Sequence, residues 1–257
     1  EERGVGMKCL PQKIPEVNKS SEWRERMGQD IEITARDGGK FAAYLALPES
    51  TPAPGIVLLP EVFNTNEHIR SVADGYAAEG FTVIAPDVYW REEAGNYLPY
   101  TDEGRAKAQS LRAAMDTDQY AMDLGDTADA LRARADCTGK VGVMGFCLGG
   151  KFTYLSCVRH KIDAAVSYYG VQIDEFLDEA DNMNCPILMH FAGIDPHVPE
   201  DTVAAIQARM GAWDNVDIHV YDGAEHGFNR QGYPPYSEAA AGPARERTLA
   251  HFRRLLG

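Results

Sequence analysis

The segment that most constrains the fold is an apolar run that leads directly into a glycine-framed cysteine, residues 141–150, VGVMGFCLGG. A β-branched run followed by Gly-x-Cys-x-Gly and a helix-compatible stretch predicts a strand that turns sharply into a helix. Gly145 and Gly149 suit such a turn because a Cβ at either position would strike a neighbouring element. The turn would hold Cys147 at a helix N-terminus, which favours the thiolate and directs backbone N–H groups at a nearby oxyanion. The segment therefore predicts a nucleophile elbow.

The segment has two alternatives to the elbow. Cys147 could be an inert buried residue in a glycine-rich turn between a strand and a helix. A phosphate-binding loop is disfavoured, because neither G-x-x-x-x-G-K-[ST] nor G-x-G-x-x-G fits the segment. The other motifs of the chain are needed to distinguish a nucleophile elbow from an inert buried cysteine.

The charge and cysteine content exclude several classes of function. A net charge of −14 disfavours nucleic acid and anionic membranes as partners, although a pocket arginine can still bind a small acidic substrate. No apolar run approaches the roughly 18 residues of a membrane helix. Five cysteines without a C-x-x-C pair indicate free thiols in a reducing compartment, so we expect a cytoplasmic protein.

Apolar strand-like runs alternate with helical patterns along nearly the whole chain. Residues 31–35 and 40–47 flank Asp37-Gly38-Gly39 and predict an antiparallel hairpin. Alternation from there on predicts an α/β fold with a mostly parallel, doubly wound sheet. We expect an N-terminal extension at 1–28 and a single domain at 29–257. A long loop is predicted at 87–104. A solvated acidic helix face is predicted at Asp116, Asp118, Asp123, Asp126 and Asp129.

Chemistry in an open parallel sheet gathers at the carboxyl ends of the strands. The polar residues at those ends are Glu61, Arg91, Cys147, Asp195 and His226. A nucleophile needs a base within hydrogen-bond reach, and the base needs an acid that fixes its tautomer. The chain order nucleophile, acid, histidine is that of α/β-hydrolases, which predicts a triad of Cys147, Asp195 and His226.

Asp195 and His226 also have ordinary explanations. An aspartate after a strand is commonly a turn or helix cap, and a histidine in a loop is commonly polar surface. A metal pair formed by Asp195 and His197 lacks a third and fourth ligand at any characteristic spacing. The joint placement of Cys147, Asp195 and His226 on strand ends in the required order makes the triad the stronger interpretation.

Four motifs together resemble the dienelactone hydrolases, which are α/β-hydrolase-fold enzymes with a Cys-His-Asp triad. They are LPEVF at 59–63, GFCLGG at 145–150, GIDPHVP at 193–199 and GAEHGF at 223–228. The resemblance covers about residues 28–257. It implies an α/β-hydrolase fold, no metal or other cofactor, and a small ester or lactone as substrate, in a monomer or homodimer.

The resemblance also implies roles for individual residues. Glu61 would contact the nucleophile and take part in its activation. The backbone N–H groups of Leu148 and Val62 would form the oxyanion hole. Arg91 and Arg230 would grip a substrate carboxylate. The prediction is thus hydrolysis of an ester or lactone, with carboxylate-bearing lactones favoured. A broader carboxylesterase is the first alternative. A non-hydrolytic ligand-binding homologue is the second, and the intact triad argues against it.

Overall fold

A computed structural model of the protein describes residues 28–257, so the predicted N-terminal extension lies outside the described residues except for Gly28. The strands are β1 Gln29–Thr34, β2 Lys40–Ala46, β3 Ala53–Leu59, β4 Thr82–Pro86, β5 Cys137–Phe146, β6 Ala164–Tyr168, β7 Ile187–Ile194 and β8 Val216–Glu225. The α-helices are α1 Glu67–Ala77, α2 Trp90–Glu93, α3 Asp102–Ala114, α4 Thr117–Arg132, α5 Leu148–Arg159, α6 Glu200–Met210 and α7 Glu238–Leu256, and a 3₁₀ segment covers Asp174–Asn182. Between residues 28 and 257 there is no helix that combines the length and apolar character needed to cross a membrane.

The strands form one sheet in the order β1-β2-β4-β3-β5-β6-β7-β8. β2 pairs antiparallel with β1 and with β4, and every other neighbouring pair is parallel. The predicted mostly parallel sheet with an N-terminal antiparallel hairpin is therefore confirmed.

Helices cover both faces of the sheet. A Cβ on Gly142 of β5 would meet Phe252 of α7, whereas a Cβ on Gly145 would meet Gly149 of α5. Residues three apart in a strand point to opposite sides, so α5 and α7 lie on opposite faces. Strands covered in this way can be apolar throughout, and all five residues of β4 and of β6 are buried.

The strand order reverses beside β3. After β3 the chain forms β4 on one side and then returns to form β5 on the other side. Leu59 at the end of β3 is paired with Gly145 near the end of β5. The loop that begins at Pro60 and the turn at Cys147 therefore leave the sheet side by side. Ligands of open α/β sheets bind at such a point.

The predicted solvated face of α4 is wrong at Asp123. Its side chain is buried, and its carboxylate accepts hydrogen bonds from Trp90 Nε1 at 2.9 Å and Arg91 Nε at 2.8 Å. Short helix α2, which lies inside the predicted loop 87–104, brings both donors to this carboxylate. The acidic spacing along α4 could not show this, because the partners come from about 32 residues away in the chain.

Candidate active site

Cys147 lies at the tip of the turn from β5 to α5 with φ 54° and ψ −111°. A non-glycine residue in this region of backbone space is strained, and such residues cluster at functional sites. Gly145 and Gly149, on either side of Cys147, allow neighbouring backbone segments to approach closely. A Cβ on Gly145 would lie 2.3 Å from the Gly149 carbonyl oxygen, and one on Gly149 would lie 2.4 Å from the Leu59 carbonyl oxygen. The elbow therefore requires glycine at both positions, because backbone packs directly against backbone there.

Gly149→Ala should severely destabilise the protein, because its methyl group would overlap rigid backbone of the neighbouring strand. Thermal and chemical denaturation measure the effect. Gly75→Ala is the matched control. It lies in α1, where an added Cβ meets nothing within 4 Å, and alanine in a helix is favoured over glycine by about 0.5–1 kcal/mol. Equal behaviour of the two variants would contradict the tight contact between α5 and β3.

Asp195 and His226 form a hydrogen-bonded pair at the ends of β7 and β8. Asp195 Oδ2 lies 2.8 Å from His226 Nδ1, and Asp195 Oδ1 accepts the backbone N–H groups of His197 and Val198. These hydrogen bonds fix the orientation of the carboxylate. The carboxylate in turn favours the histidine tautomer with a proton on Nδ1, and Nε2 lies on the far side of the ring. Within residues 28–257, Nε2 of His226 is buried and has no hydrogen-bond partner.

Cys147 is close enough to His226 to change its protonation. Burial disfavours the imidazolium, but the negative charge of Cys147 and the hydrogen bond with Asp195 outweigh burial and raise the pKa of His226 to about 10. The structure therefore brings Cys147, His226 and Asp195 together as a coupled group.

Cys147→Ala should lower the pKa of His226 markedly, because the substitution removes the negative charge that favours the imidazolium. NMR titration of the imidazole signals measures the change. Cys137→Ala, at the far end of β5, is the control that should leave this pKa where it is. If the His226 pKa were the same with and without the Cys147 thiol, the two groups would not be coupled.

Val62 and Leu148, whose backbone N–H groups are predicted to form the oxyanion hole, belong to two chain segments that meet at the elbow. Leu148 is the first residue of α5, and Val62 follows β3, which is paired with β5. No hydrogen-bond acceptor for either amide is found in the described chain. Tyr89, a buried residue not singled out from the sequence, donates its hydroxyl to the Val62 carbonyl at 2.9 Å and so fixes the orientation of this loop.

Glu61 is buried and forms a bidentate ion pair with Arg230. The guanidinium Nε and Nη2 lie 3.0 and 2.9 Å from the two carboxylate oxygens. Tyr169 donates its hydroxyl to the same carboxylate at 3.4 Å, and its ring lies 4.9 Å from the ring of His226. The Arg230 guanidinium also lies over the ring of Tyr100. The pair therefore forms one wall beside the triad.

The role predicted for Arg91 stays a prediction, and its contacts point elsewhere. Its Nε and Nη2 bind the buried carboxylate of Asp123 at 2.8 and 2.7 Å, and Nη2 also lies 2.8 Å from Asp37. Arg91 thus joins α2 to α4 and to the hairpin turn. A guanidinium held by two carboxylates is poorly placed to bind a third.

Three cationic side chains near the site were not predicted from the sequence. Arg105 lies over the ring of Phe63, Arg112 is half-buried near the end of α3, and Lys151 is buried in α5. The spacing of Lys151, four residues after Cys147, is the one sequence signal that could have identified any of them, since residues i and i+4 share a helix face. Neither Arg105 nor Arg112 has a comparable spacing from a predicted site residue.

A metal site receives no support. Among residues 28–257, no group of three or more His, Cys, Asp or Glu side chains is arranged to hold an ion. Asp195 uses its carboxylate oxygens on His226 and on backbone N–H groups. His197 instead packs its ring edge-on against His226, with 4.7 Å between ring centroids.

Comparison with known proteins places the chain in a family. The model of the dienelactone hydrolase family matches residues 41–256. A protein of Azospirillum brasilense that carries the name carboxymethylenebutenolidase is 36% identical over 231 residues, which is 89% of this chain and 99% of that protein. The carboxymethylenebutenolidase of Pseudomonas putida is 33% identical over 222 residues, with 86% and 94% of the two chains covered.

The fold agrees with this assignment. A crystal structure described as a dienelactone hydrolase from Klebsiella pneumoniae superposes with a TM-score of 0.80 at 28% identity and covers 89% of this chain and 98% of that one. An esterase structure from Pyrococcus furiosus, at 19% identity and a TM-score of 0.69, shares the fold. The sheet is thus that of the α/β-hydrolases, as predicted. The chain belongs to the dienelactone hydrolase family and is a carboxylic ester hydrolase of that type.

Proposed function

We propose that the protein hydrolyses an ester or lactone through a covalent acyl-enzyme on Cys147. The observation that carries the proposal is the hydrogen-bonded pair of Asp195 and His226 beside a cysteine at a strained elbow. A thiol whose neighbouring histidine is held in one tautomer by a carboxylate is an activated nucleophile.

In the acylation step, the Cys147 sulfur attacks the carbonyl carbon, and the carbonyl oxygen becomes an oxyanion. The backbone N–H groups of Val62 and Leu148 donate hydrogen bonds to it, which stabilises charge that develops only in the transition state. The imidazolium of His226 then protonates the departing alkoxide, and a thioester remains on Cys147. For a lactone the alcohol stays attached to the acyl group.

Deacylation uses the same groups in reverse. Neutral His226 accepts a proton from water, which attacks the thioester carbonyl, and the second oxyanion forms against the same two amides. Collapse releases the carboxylic acid and returns the thiolate to its place beside the imidazolium. Asp195 keeps the imidazole oriented through both steps.

Glu61 is proposed to tune the nucleophile. A carboxylate near Cys147 disfavours the thiolate, but the ion pair with Arg230 compensates the charge of Glu61 in this structure. A substrate carboxylate that competed for Arg230 would release that charge into the site. Binding and activation of the thiol would then be linked through one buried ion pair.

Carboxylate-bearing lactones are the substrate class that the surroundings favour. In a chain of net charge −14 an anionic substrate needs a local concentration of positive charge. Arg105, Arg112 and Lys151 supply it, and their side chains form no ion pair within the part of the chain that the structure describes.

A broader carboxylesterase is the second candidate, and one observation favours it. Both arginines predicted to grip the substrate, Arg91 and Arg230, already bind carboxylates of the protein. Rates on paired neutral and anionic esters of equal size separate the candidates. A carboxylate-directed enzyme prefers the anionic member, and that preference weakens as salt is added, whereas a general esterase shows neither effect.

The acyl-enzyme itself can be observed. The protein is mixed with a slowly hydrolysed ester and quenched in acid, and its intact mass is measured. We expect an added mass equal to the acyl group, located by digestion on the peptide that contains Cys147. The covalent mechanism would be overturned if the wild type hydrolysed the ester without such an adduct and the Cys147→Ala variant kept its activity.

A further inference from the structure

His190 is a buried histidine to which the proposed mechanism gives no role. It lies in β7, five residues before Asp195, and its side chain is fully buried. Burial, and then the positive charges of His219, Arg247 and His251, lower the pKa of His190 well below its ordinary value, so the imidazole is neutral. A neutral imidazole has one donor nitrogen and one acceptor nitrogen, and burial of either one without a partner is costly.

Both ring nitrogens of His190 have hydrogen-bond partners. Nδ1 lies 2.9 Å from the Tyr221 hydroxyl in β8, and Nε2 lies 3.2 Å from Thr248 Oγ1 in α7. Arg247 Nη1 donates to the same Tyr221 oxygen at 3.2 Å. Thr248 Oγ1 in turn lies 2.6 Å from the Tyr168 hydroxyl at the end of β6. One chain of hydrogen bonds through His190 therefore joins β6, β8 and α7.

The tyrosines of this chain surround Phe228, which is fully buried. The ring centroids of Tyr221 and Tyr168 lie 5.2 and 6.2 Å from that of Phe228, and the ring of Tyr169 lies 5.3 Å from it. Aromatic rings at such separations pack in specific orientations. The hydroxyl hydrogen bonds fix the rings of Tyr221 and Tyr168. The seat of Phe228 therefore depends on the hydrogen bonds of His190.

The backbone of His190 holds the third tyrosine. The Tyr169 N–H donates to the His190 carbonyl at 2.6 Å, and Tyr169 has a φ of 37°, which is rare for a residue with a side chain. A strained conformation of this kind persists only where the surrounding structure imposes it. The ring of Tyr169 lies 4.9 Å from that of His226. His190 thus supports a residue that packs directly on the histidine of the candidate triad.

Phe228 anchors the turn that carries His226. The Phe228 N–H donates to the Glu225 carbonyl at 3.0 Å, which closes a turn over residues 225–228. Gly227, with φ 89°, lies inside this turn, and the Phe228 carbonyl accepts the Ser237 N–H at 2.9 Å. The position of the His226 ring therefore depends on where Phe228 is seated.

We propose that His190 is a positioning residue of the hydrolytic reaction and holds His226 in line with Cys147. It acts through the tyrosine rings around Phe228 and touches neither the substrate nor the reacting atoms. The inference rests on the proposed function, because it assigns a support to the histidine of that mechanism. A displacement of about 1 Å in a catalytic group can lower a rate by about 100-fold.

Stability alone is the ordinary role of a buried, hydrogen-bonded histidine, so the test uses readouts that stability does not change. His190→Leu removes both side-chain hydrogen bonds. We expect kcat to fall by about tenfold to 100-fold with little change in KM, because the proton carrier is misplaced. His190→Gln, which keeps a polar group for Thr248, should recover part of this loss. His251→Leu is the matched control and should keep the wild-type kcat. It replaces another buried histidine, whose ring packs on Phe252 rather than on the tyrosines.

NMR titration of His226 supplies a second readout that needs no substrate. Although burial opposes the shift, the charge of Cys147 and the hydrogen bond with Asp195 raise the pKa of His226 to about 10. In His190→Leu this pKa should move toward its ordinary value, because the ring moves away from both groups. It should stay in place in His251→Leu. Urea denaturation of the same variants reports their stability separately.

Two milder variants keep the test decisive if His190→Leu folds poorly. Tyr221→Phe removes the partner of Nδ1, and Thr248→Val removes the partner of Nε2, while the ring contacts with Phe228 remain. Each should lower kcat by about two- to tenfold, the usual worth of one hydrogen bond, and shift the His226 titration in the same direction as His190→Leu.

An unchanged kcat and an unchanged His226 titration in folded His190→Leu, or in both milder variants, would overturn the positioning role. Equal rate losses in His190→Leu and His251→Leu would also overturn it, because the effect would then be one of stability. In either case, hydrolysis that depends on Cys147 would leave the proposed function standing. Hydrolysis that did not depend on Cys147 would instead remove the proposed function, and the titration would still show whether His190 holds the His226 ring.

Discussion

Cys147→Ala is expected to lower turnover of any substrate ester by about 10⁴-fold or more, with the fold intact. The reason is that a methyl group can neither attack the carbonyl nor carry the acyl group. His226→Ala should cause a loss of similar size, because the thiol would lose its proton acceptor and the alkoxide its proton donor. The double variant should be little worse than either single one, since the residues act as a unit. Steady-state rates on one ester measure all three.

The other buried cysteines provide a matched control. Cys137→Ala makes the same substitution at the first residue of β5, the end remote from the elbow, and should leave the rate close to that of the wild type. Additive losses in the double variant would mean that Cys147 and His226 act in separate steps rather than as one group. Near-normal hydrolysis by Cys147→Ala would assign the nucleophile to another residue.

Breaking the buried pair of Glu61 and Arg230 should have the largest effect on stability. Glu61→Gln leaves a guanidinium buried without a countercharge, and removal of one partner of a buried pair costs on the order of 3–5 kcal/mol. The double variant Glu61→Gln with Arg230→Met should recover much of this loss, because it leaves no unpaired charge, yet it should remain slow on anionic esters. Urea denaturation gives the free energies of unfolding for a double-mutant cycle.

An exposed pair supplies the comparison for this cycle. Lys40 and Glu32 form a cross-strand pair in the hairpin, and both side chains are more than half exposed. Glu32→Gln should change the free energy of unfolding by only about 0–1 kcal/mol. A similarly small change in Glu61→Gln would show that solvent or another group compensates Arg230, and the wall beside the triad would then be more open than its contacts indicate.

Strand ends and chain order predicted the candidate triad, and the structure joins two of its residues, Asp195 and His226, by a hydrogen bond. Cys147, Asp195 and His226 each follow an apolar run, and parallel strands deliver their carboxyl ends to one edge of the sheet. The alternation of strands and helices likewise predicted the α/β fold and the antiparallel hairpin. These inferences depend on local patterns and on rules of connection that hold for many folds.

The partners of the charged residues could not be predicted in this way. Arg91 binds Asp123, and Arg230 binds Glu61 from 169 residues away, so both pairings exist only once the sheet has formed. Asp123 has the helical spacing of a surface residue, and nothing near it in the sequence shows the arginine that buries it. An arginine at a strand end therefore indicates a candidate substrate site. Whether its guanidinium is free to bind a substrate depends on contacts that form only in the folded chain.

The conformation of Cys147 has a consequence for how stable this protein can become. A residue with a Cβ at φ 54° and ψ −111° stores strain on the order of 1–3 kcal/mol, which glycine would avoid. Cys147→Gly should therefore yield a protein that is more stable than Cys147→Ala and equally inactive. Stability and activity are opposed at this one residue, so engineering for heat resistance should leave the elbow alone and act on parts of the fold that do not touch it.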